Sequence, residues 1–346
     1  MTAQFWQYLL TIDPSGRRFR ELIEALGTSS LEPVAALTSH PAFRPEDRAK
    51  LNKLNPKVLE KALAAGAYVL RAQDVNALYA DAEFAVPALF ARGDRSVLDR
   101  PTVAIVGTRT CSPYGQACAQ KFAEALARSG VTIVSGGAFG IDAAAHVGAV
   151  KGGGASVAVM GTGIDIFYPS THRNLYEEVL RDGLVLSQFP AGMGSFPSNF
   201  PTRNPTIAAL SHAVIVIEAP QKSGALRTAS SAAELGRDVM VVPGPITSFG
   251  FAGSHGLIRD GATLVDHPRQ VLEAIGVEEV VEAAPEGTAL SEMQKRIVAV
   301  LTDVPMSGDK IADLTGISDE DLLVELTMLE MEGVIFRHSA GYARKP

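Results

Sequence analysis

Short runs of apolar residues, each ending in small polar or glycine residues and each followed by a stretch with helical spacing, recur through the middle of the chain. Residues 103–106 (Val-Ala-Ile-Val) break into Gly107-Thr108-Arg109, and residues 131–134 (Val-Thr-Ile-Val) break into Ser135-Gly136-Gly137-Ala138. Apolar runs of this length bounded by turn residues predict buried parallel strands. Between them Tyr114, Ala117, Cys118, Phe122, Ala125 and Leu126 share one helical face over 112–129, opened by Ser112-Pro113 and closed by Gly130. The alternation continues with strands predicted at 156–160, 184–187, 213–217 and 239–242 and helices at 142–150, 174–180 and 225–235. Earlier runs at 67–70 and 87–90 put the start of the sheet near residue 67. Strands alternating with helices predict the α/β class, a Rossmann-like, mostly parallel sheet covered on both faces.

The flanks have a different texture. Phe19, Leu22, Ile23 and Leu26 before Gly27, then similar spacing at 31–37 and 56–63, predict four or five short helices in a small N-terminal domain, SAM-like or a docking module. Residues 288–346 predict a winged helix, with helices at 290–301, 310–314 and 319–332 and a hairpin through 334–336 and 341–344. The expected division is therefore 1–64 helical, 65–275 Rossmann-like core, 276–287 linker and 288–346 winged helix.

Composition adds little to this picture, and charge adds more. With 346 residues, 47% hydrophobic and 20% charged, the chain is long enough for one large core and small satellites. It has no secretory apolar segment and no run long enough to span a bilayer, so cytoplasmic residence without a membrane span is expected. Cys111 and Cys118 flank the start of one helix without zinc-site partners and are expected to be packing residues, with no metal bound. The net charge of −7 speaks against nucleic acid only as an average. Residues 1–100 hold 13 Lys and Arg against 12 Asp and Glu, 101–266 hold 11 against 11, and 267–346 hold 7 against 15. The acidity is confined to the C-terminal part, which leaves the middle free to gather cations on one edge.

The residues just past each predicted strand decide the chemistry. Gly107-Thr108-Arg109, Ser135-Gly136-Gly137, Gly161-Thr162-Gly163 and Ser223-Gly224 all fall at strand ends or just before helices, where backbone amides can surround an anion. Arg109, Arg173, Arg203, Lys222 and Arg227 accompany them, tempered by Asp142, Asp165 and Glu218. Dinucleotide and Walker motifs are missing, as is the P-G-G-x-G-T pattern of phosphoribohydrolases, whose nearest counterpart runs from Ser223 to Thr228. Seven histidines show no triad spacing, and His146 is expected to pack or cap a helix. An edge suited to phosphate without a catalytic apparatus suggests binding, and no cofactor is expected. Phe139, Phe167, Tyr168, Phe249 and Phe251 lie in predicted loops, where stacking contributes about 1–3 kcal/mol per base; Phe167-Tyr168 is the best placed pair. Two alternatives are an enzyme acting on a nucleotide or phosphosugar, with Asp142, Asp165 or Glu218 as base, and an adaptor whose end domains bind proteins.

These residues resemble a known family: DprA, also called Smf, the DNA-processing protein of bacterial natural transformation. The resemblance rests on V-A-I-V-G-T-R at 103–109, S-G-G-A-x-G-I-D-x-x-A-H at 135–146, G-T-G-I-D-x-x-Y-P at 161–169 and F-P-x-R-N at 200–204. It continues with E-A-x-x-x-S-G-A-L-x-T-A at 218–229 and G-R-x-V-x-x-V-P-G at 236–244, and covers about 200 residues in order. It implies a homodimer that binds single-stranded DNA, shields incoming transforming DNA and helps load the RecA recombinase. By carry-over Gly107, Thr108 and Arg109 contact DNA phosphate, and Ser135, Gly136, Gly161, Arg203 and Asn204 complete the pocket. The chain departs from the family pattern at Pro205, where a second arginine is usual, and at Ser170, where a basic residue often follows Tyr-Pro.

The last expectation concerns the third helix of the winged helix, which in DNA-reading versions enters the major groove with basic and amide side chains forward. Residues 319–332 carry Asp319, Glu320, Asp321, Glu325, Glu330 and Glu332 and not one Lys or Arg. Leu322, Leu323, Leu326, Leu329 and Met331 are expected to serve the core or a partner, leaving Arg337, Arg344 and Lys345 as the cations near a DNA backbone.

Overall fold

The structure is a computed structural model that describes residues 1–27, 33–83, 85–280, 290–331, 334–338 and 340–344. Five helices lead the chain: α1 (Ala3–Ile12), α2 (Arg20–Gly27), α3 (Pro33–Ser39), α4 (Pro45–Leu51) and α5 (Pro56–Ala64). Then come β1 (Tyr68–Arg71), α6 (Ala77–Ala80), β2 (Ala88–Gly93), β3 (Thr102–Val106), α7 (Pro113–Arg128), β4 (Thr132–Ser135), α8 (Ile141–Lys151), β5 (Ser156–Met160), α9 (Arg173–Asp182) and β6 (Leu184–Ser187). The second half of the sheet comprises α10 (Asn199–Ala209), β7 (Ala213–Val216), α11 (Ala225–Glu234), β8 (Asp238–Val241), α12 (Ala252–Arg259), β9 (Thr263–Leu264) and α13 (Pro268–Ala274). Among the described residues no helix is long and apolar enough to cross a membrane.

The nine strands form one sheet in the order β1-β2-β6-β5-β4-β3-β7-β8-β9. β1 with β2 and β2 with β6 are antiparallel, and every other neighbouring pair is parallel. From β3 the chain winds outward through β4, β5 and β6, then returns to lay β7 on the other side of β3. That reversal creates a topological switch point, and in open α/β sheets a crevice opens there beyond the carboxyl ends of the strands. Alternate residues of β3 serve opposite faces: Ala104 and Val106 pack with Ile207 and Ala229, while Val103 and Ile105 pack with Phe122, Leu126 and Ile141. Burial on both faces is why these strands are continuous apolar runs in sequence.

Helix α10 is not predicted from the sequence, because Pro201 and Pro205 interrupt its pattern. Pro201 sits in the first turn, where its missing N–H costs nothing. Pro205 lies inside the helix, and burial of Thr206, Ile207, Ala208 and Ala209 against the sheet outweighs the lost bond.

The helical N-terminus is not a separate packing unit, contrary to the expected boundary at residue 64. Phe5, Trp6, Leu9, Leu10 and Phe19 share one apolar cluster with Ala88 and Phe90 of β2, Met160 of β5 and Tyr176 of α9. Helices of seven to ten residues cannot bury such large side chains among themselves and use the sheet face instead. The expected linker also begins later, because Val277 packs on the core and Val280 N–H donates to Ser129 Oγ at 3.2 Å. The chain thus divides into compact units Met1–Val280 and Val281–Pro346.

The second unit is the winged helix: α14 (Glu292–Val300), α15 (Gly308–Thr315), α16 (Asp319–Met331) and a hairpin of β10 (Ile335–His338) with β11 (Gly341–Arg344). Its core holds Ile297, Ile311, Leu322, Leu326, Leu329 and Ile335. Leu323, expected among the apolar positions, is 61% exposed, together with Val324 and Met328. Residues 31–32, the rest of the expected linker, Glu332 and Lys345 lie outside the described residues.

Candidate nucleic-acid interface

A cleft of about 500 Å³ opens at the switch point, between the turn that follows β3 and the loop that joins β7 to α11. Gly107, Thr108 and Arg109 form one wall and Lys222, Ser223, Gly224 and Thr228 the other, with Phe200, Arg203 and Asn204 of α10 and Tyr168 closing it. Arg109, Arg203 and Lys222 face a single lining carboxylate, Asp142. The N-terminus of α11, a helix of ten residues, opens onto the cleft and adds the positive end of its dipole.

Local geometry shows why this turn needs glycine. A Cβ on Gly107 would fall 2.8 Å from Ile141 Cβ and 2.9 Å from the Glu218 carbonyl oxygen, so β3, β7 and α8 converge there only around a bare Cα. The Thr108 N–H donates to Glu218 O at 2.7 Å, tying the turn after β3 to the end of β7, and the Asn204 amide donates to Gly224 O at 3.0 Å, tying α10 to the second wall. Arg109 is exposed and, among the described residues, has no ion-pair partner. Its guanidinium lies over the Phe200 ring, 4.8 Å from the centroid.

Several residues expected at the interface do not line the cleft. Ser135 is buried with its hydroxyl donating to Ile105 O at 2.7 Å, and the Thr162 hydroxyl donates to Ile166 O at 2.6 Å. Gly136 O accepts from Arg203, and Gly137, at φ 69°, turns the chain beneath Tyr176. Gly161 is buried under Phe200, so its smallness is used for packing. Phe167 stacks on Tyr176 at 4.8 Å, and Arg173, outside the cleft, pairs with Glu177 at 3.9 Å. Phe251, expected in an open loop, is a core residue packed beneath Gly244. Tyr168, Phe139 and Phe249 do remain exposed.

The candidate bases of an enzymatic reading separate in the same way. Glu218 is 4% exposed and accepts from both Ser112 N–H, at 2.9 Å, and Ser112 Oγ, at 2.7 Å, so it caps α7. Asp165 accepts from Gly192 N–H at 2.8 Å. Asp142 alone reaches the cleft. Burial raises its pKa above the usual carboxylate value, and the Arg203 guanidinium pulls it back. Arg203 is itself 3% exposed; its Nη1 donates to Gly136 O at 2.7 Å and to Val159 O. It joins the ends of β4 and β5 from beneath the cleft.

His146 is a packing histidine. It is buried on α8, and because Ser156 Oγ donates to Ile133 O, the Nδ1–H must donate to Ser156 Oγ, at 2.7 Å, leaving Nε2 bare. Burial first, then Arg203 and His172, pushes its pKa down to about 3. Unfolded, the ring titrates near its ordinary 6.5. Between those values the unfolded chain binds a proton that the folded chain refuses, so stability present above pH 6.5 is lost as pH falls toward 3. The loss from this group is on the order of 4 kcal/mol at pH 3. Urea midpoints measured from pH 7 to pH 4 should therefore fall, and His146→Gln should flatten that slope.

The family model described as DNA recombination-mediator protein A matches residues 69–276, and the one described as DprA winged helix domain matches residues 281–341. Protein Smf of Escherichia coli (strain K12) is 37% identical over 285 residues, which cover 77% of this chain and 76% of Smf. The X-ray structure of DNA processing protein A (DprA) from Streptococcus pneumoniae matches with a TM-score of 0.67 at 32% identity, over 79% of this chain and 98% of that one. The structure of DNA processing protein A from Helicobacter pylori, a protein described for its single-stranded DNA binding mode, matches with a TM-score of 0.55 at 27% identity, over 60% of this chain and 95% of that one.

Proposed function

The chain belongs to the DNA recombination-mediator protein A (DprA/Smf) family, and from that membership we propose that its switch-point cleft grips single-stranded DNA by the phosphate chain, without reading sequence. The observation that carries this reading is the cleft's content: two exposed cations, Arg109 and Lys222, above a buried Arg203–Asp142 pair, with a glycine turn and a helix N-terminus, all gathered where two βα connections diverge. Such groups recognise phosphate rather than base edges. Exposed Tyr168, on the cleft wall, offers a face on which an unpaired base can stack. The same membership supports the rest of the proposal: a cytoplasmic homodimer that protects incoming transforming DNA and hands it to the RecA recombinase, without turnover.

Fluorescence anisotropy with labelled oligonucleotides of graded length, at several salt concentrations, tests the grip. Affinity should rise with strand length and fall steeply with salt. Length-independent binding of mononucleotides would instead support an enzyme acting on a nucleotide or phosphosugar, with Asp142 as its base.

In this reading the winged helix binds protein. The exposed side of α16 carries Asp319, Glu320, Asp321 and Glu330 around Leu323, Val324 and Met328, and like charge repels a phosphate chain. Removing residues 288–346 should leave single-strand affinity within a few-fold; a tenfold loss, about 1.4 kcal/mol, at unchanged oligomeric state counts against it.

A further inference from the structure

Arg109 presents a difficulty for any phosphate grip. It is an exposed arginine on a turn, without an ion-pair partner among the described residues, and a long side chain free to sample many rotamers surrenders that freedom on binding. The structure supplies something to hold it. The Phe200 ring lies beneath the Arg109 guanidinium at 4.8 Å and against Tyr168 at 5.5 Å, with 45° between the two rings. Phe200 is in turn held from behind. A Cβ on Gly161 would lie 2.7 Å from Phe200 Cδ1, so the ring sits directly on the glycine backbone, and Asn199 Nδ2 donates to Gly161 O at 3.0 Å, pinning the first turn of α10 to the end of β5.

We propose that Phe200 is a positioning residue: seated on Gly161, it carries the Arg109 guanidinium on its face and presents that group to the phosphate chain already ordered. This rests on the proposed single-strand grip and adds a role to it. A guanidinium stacked on a ring keeps its N–H donors in the plane parallel to the ring, and their edge remains open to two phosphate oxygens. The arrangement also gives Gly161 a steric purpose. It need not donate to an anion; it must be small enough for the platform to sit down.

A double-mutant cycle on the full chain tests this, with a labelled oligothymidine as probe and melting temperature as a control for folding. Phe200→Leu should weaken binding roughly three- to tenfold. In an Arg109→Ala background the same change should matter less than twofold, because the platform then has nothing to carry. Phe200→Trp, which restores an aromatic face, should recover most of the affinity. Gly161→Ala, which unseats the ring without altering it, should reproduce the Phe200→Leu loss and its dependence on Arg109. A Phe200→Leu effect of equal size with and without Arg109, or no effect beside a weakened Arg109→Ala, overturns the positioning role and leaves the single-strand grip standing. Wild-type binding by Arg109→Ala overturns both.

Discussion

Arg203→Ala is expected to destabilise the Met1–Val280 unit by about 3–5 kcal/mol, a fall in melting temperature of roughly 5–10 °C for a unit of this size. Its Nη1 holds Gly136 O and Val159 O, and its charge faces Asp142 across Gly136, where a Cβ would collide with both side chains. Alanine leaves two carbonyls unsatisfied and a buried carboxylate without its cation, and lysine, a point charge without the planar fork, cannot replace both hydrogen bonds. Asp142→Asn should recover part of the loss in the double variant, since the two side chains act on one another. Thermal melts of the single and double variants check this. A melting temperature within 1–2 °C of the wild type would show that the ends of β4 and β5 are held by something else. Any loss of DNA affinity in Arg203→Ala should therefore be measured well below its melting temperature, where the cleft is still built.

Arg109→Ala has the opposite profile. The side chain is exposed, lies over Phe200 and has no ion-pair partner among the described residues, so the melting temperature should stay near the wild-type value. Single-strand affinity should fall ten- to a hundredfold, as expected when a charge-assisted hydrogen bond worth about 1.5–3 kcal/mol is removed. The loss should be alike for thymine-rich and mixed oligonucleotides, because a phosphate contact carries no sequence information. The slope of log affinity against log salt should drop by about 1. Lys222→Ala, on the exposed rim of the same cleft, should cost about threefold or less. Unaltered binding by a folded Arg109→Ala protein would remove the central contact of the proposed interface.

The acidic α16 and the strand-to-helix alternation are legible from residue patterns because both are local properties. A strand needs only a run of apolar side chains, and a helix needs only its 3.6-residue spacing. The role of Phe200 is not legible from local pattern, for a related reason. The residue belongs to the F-P-x-R-N stretch, but the two prolines conceal α10, and an aromatic residue in an unrecognised helix offers no hint that it stands beneath an arginine 91 positions earlier. The two-residue β9, exposed at the sheet edge, carries too little pattern to be seen.

By itself the sequence determined the α/β class, the glycine turn at the end of β3, the winged helix and the family, since these follow from neighbours a few positions apart or from motifs in fixed order. Only the tertiary structure decided which polar groups share the cleft. Glu218 is spent on Ser112, 106 residues away, and Arg203 on Gly136, 67 residues away. It also decided that the N-terminal helices close over the sheet. Partners so distant in sequence meet only because the strand order brings them to one edge. A buried polar group there must take whatever donor or acceptor the fold supplies, since leaving it unpaired costs more than any local preference can return.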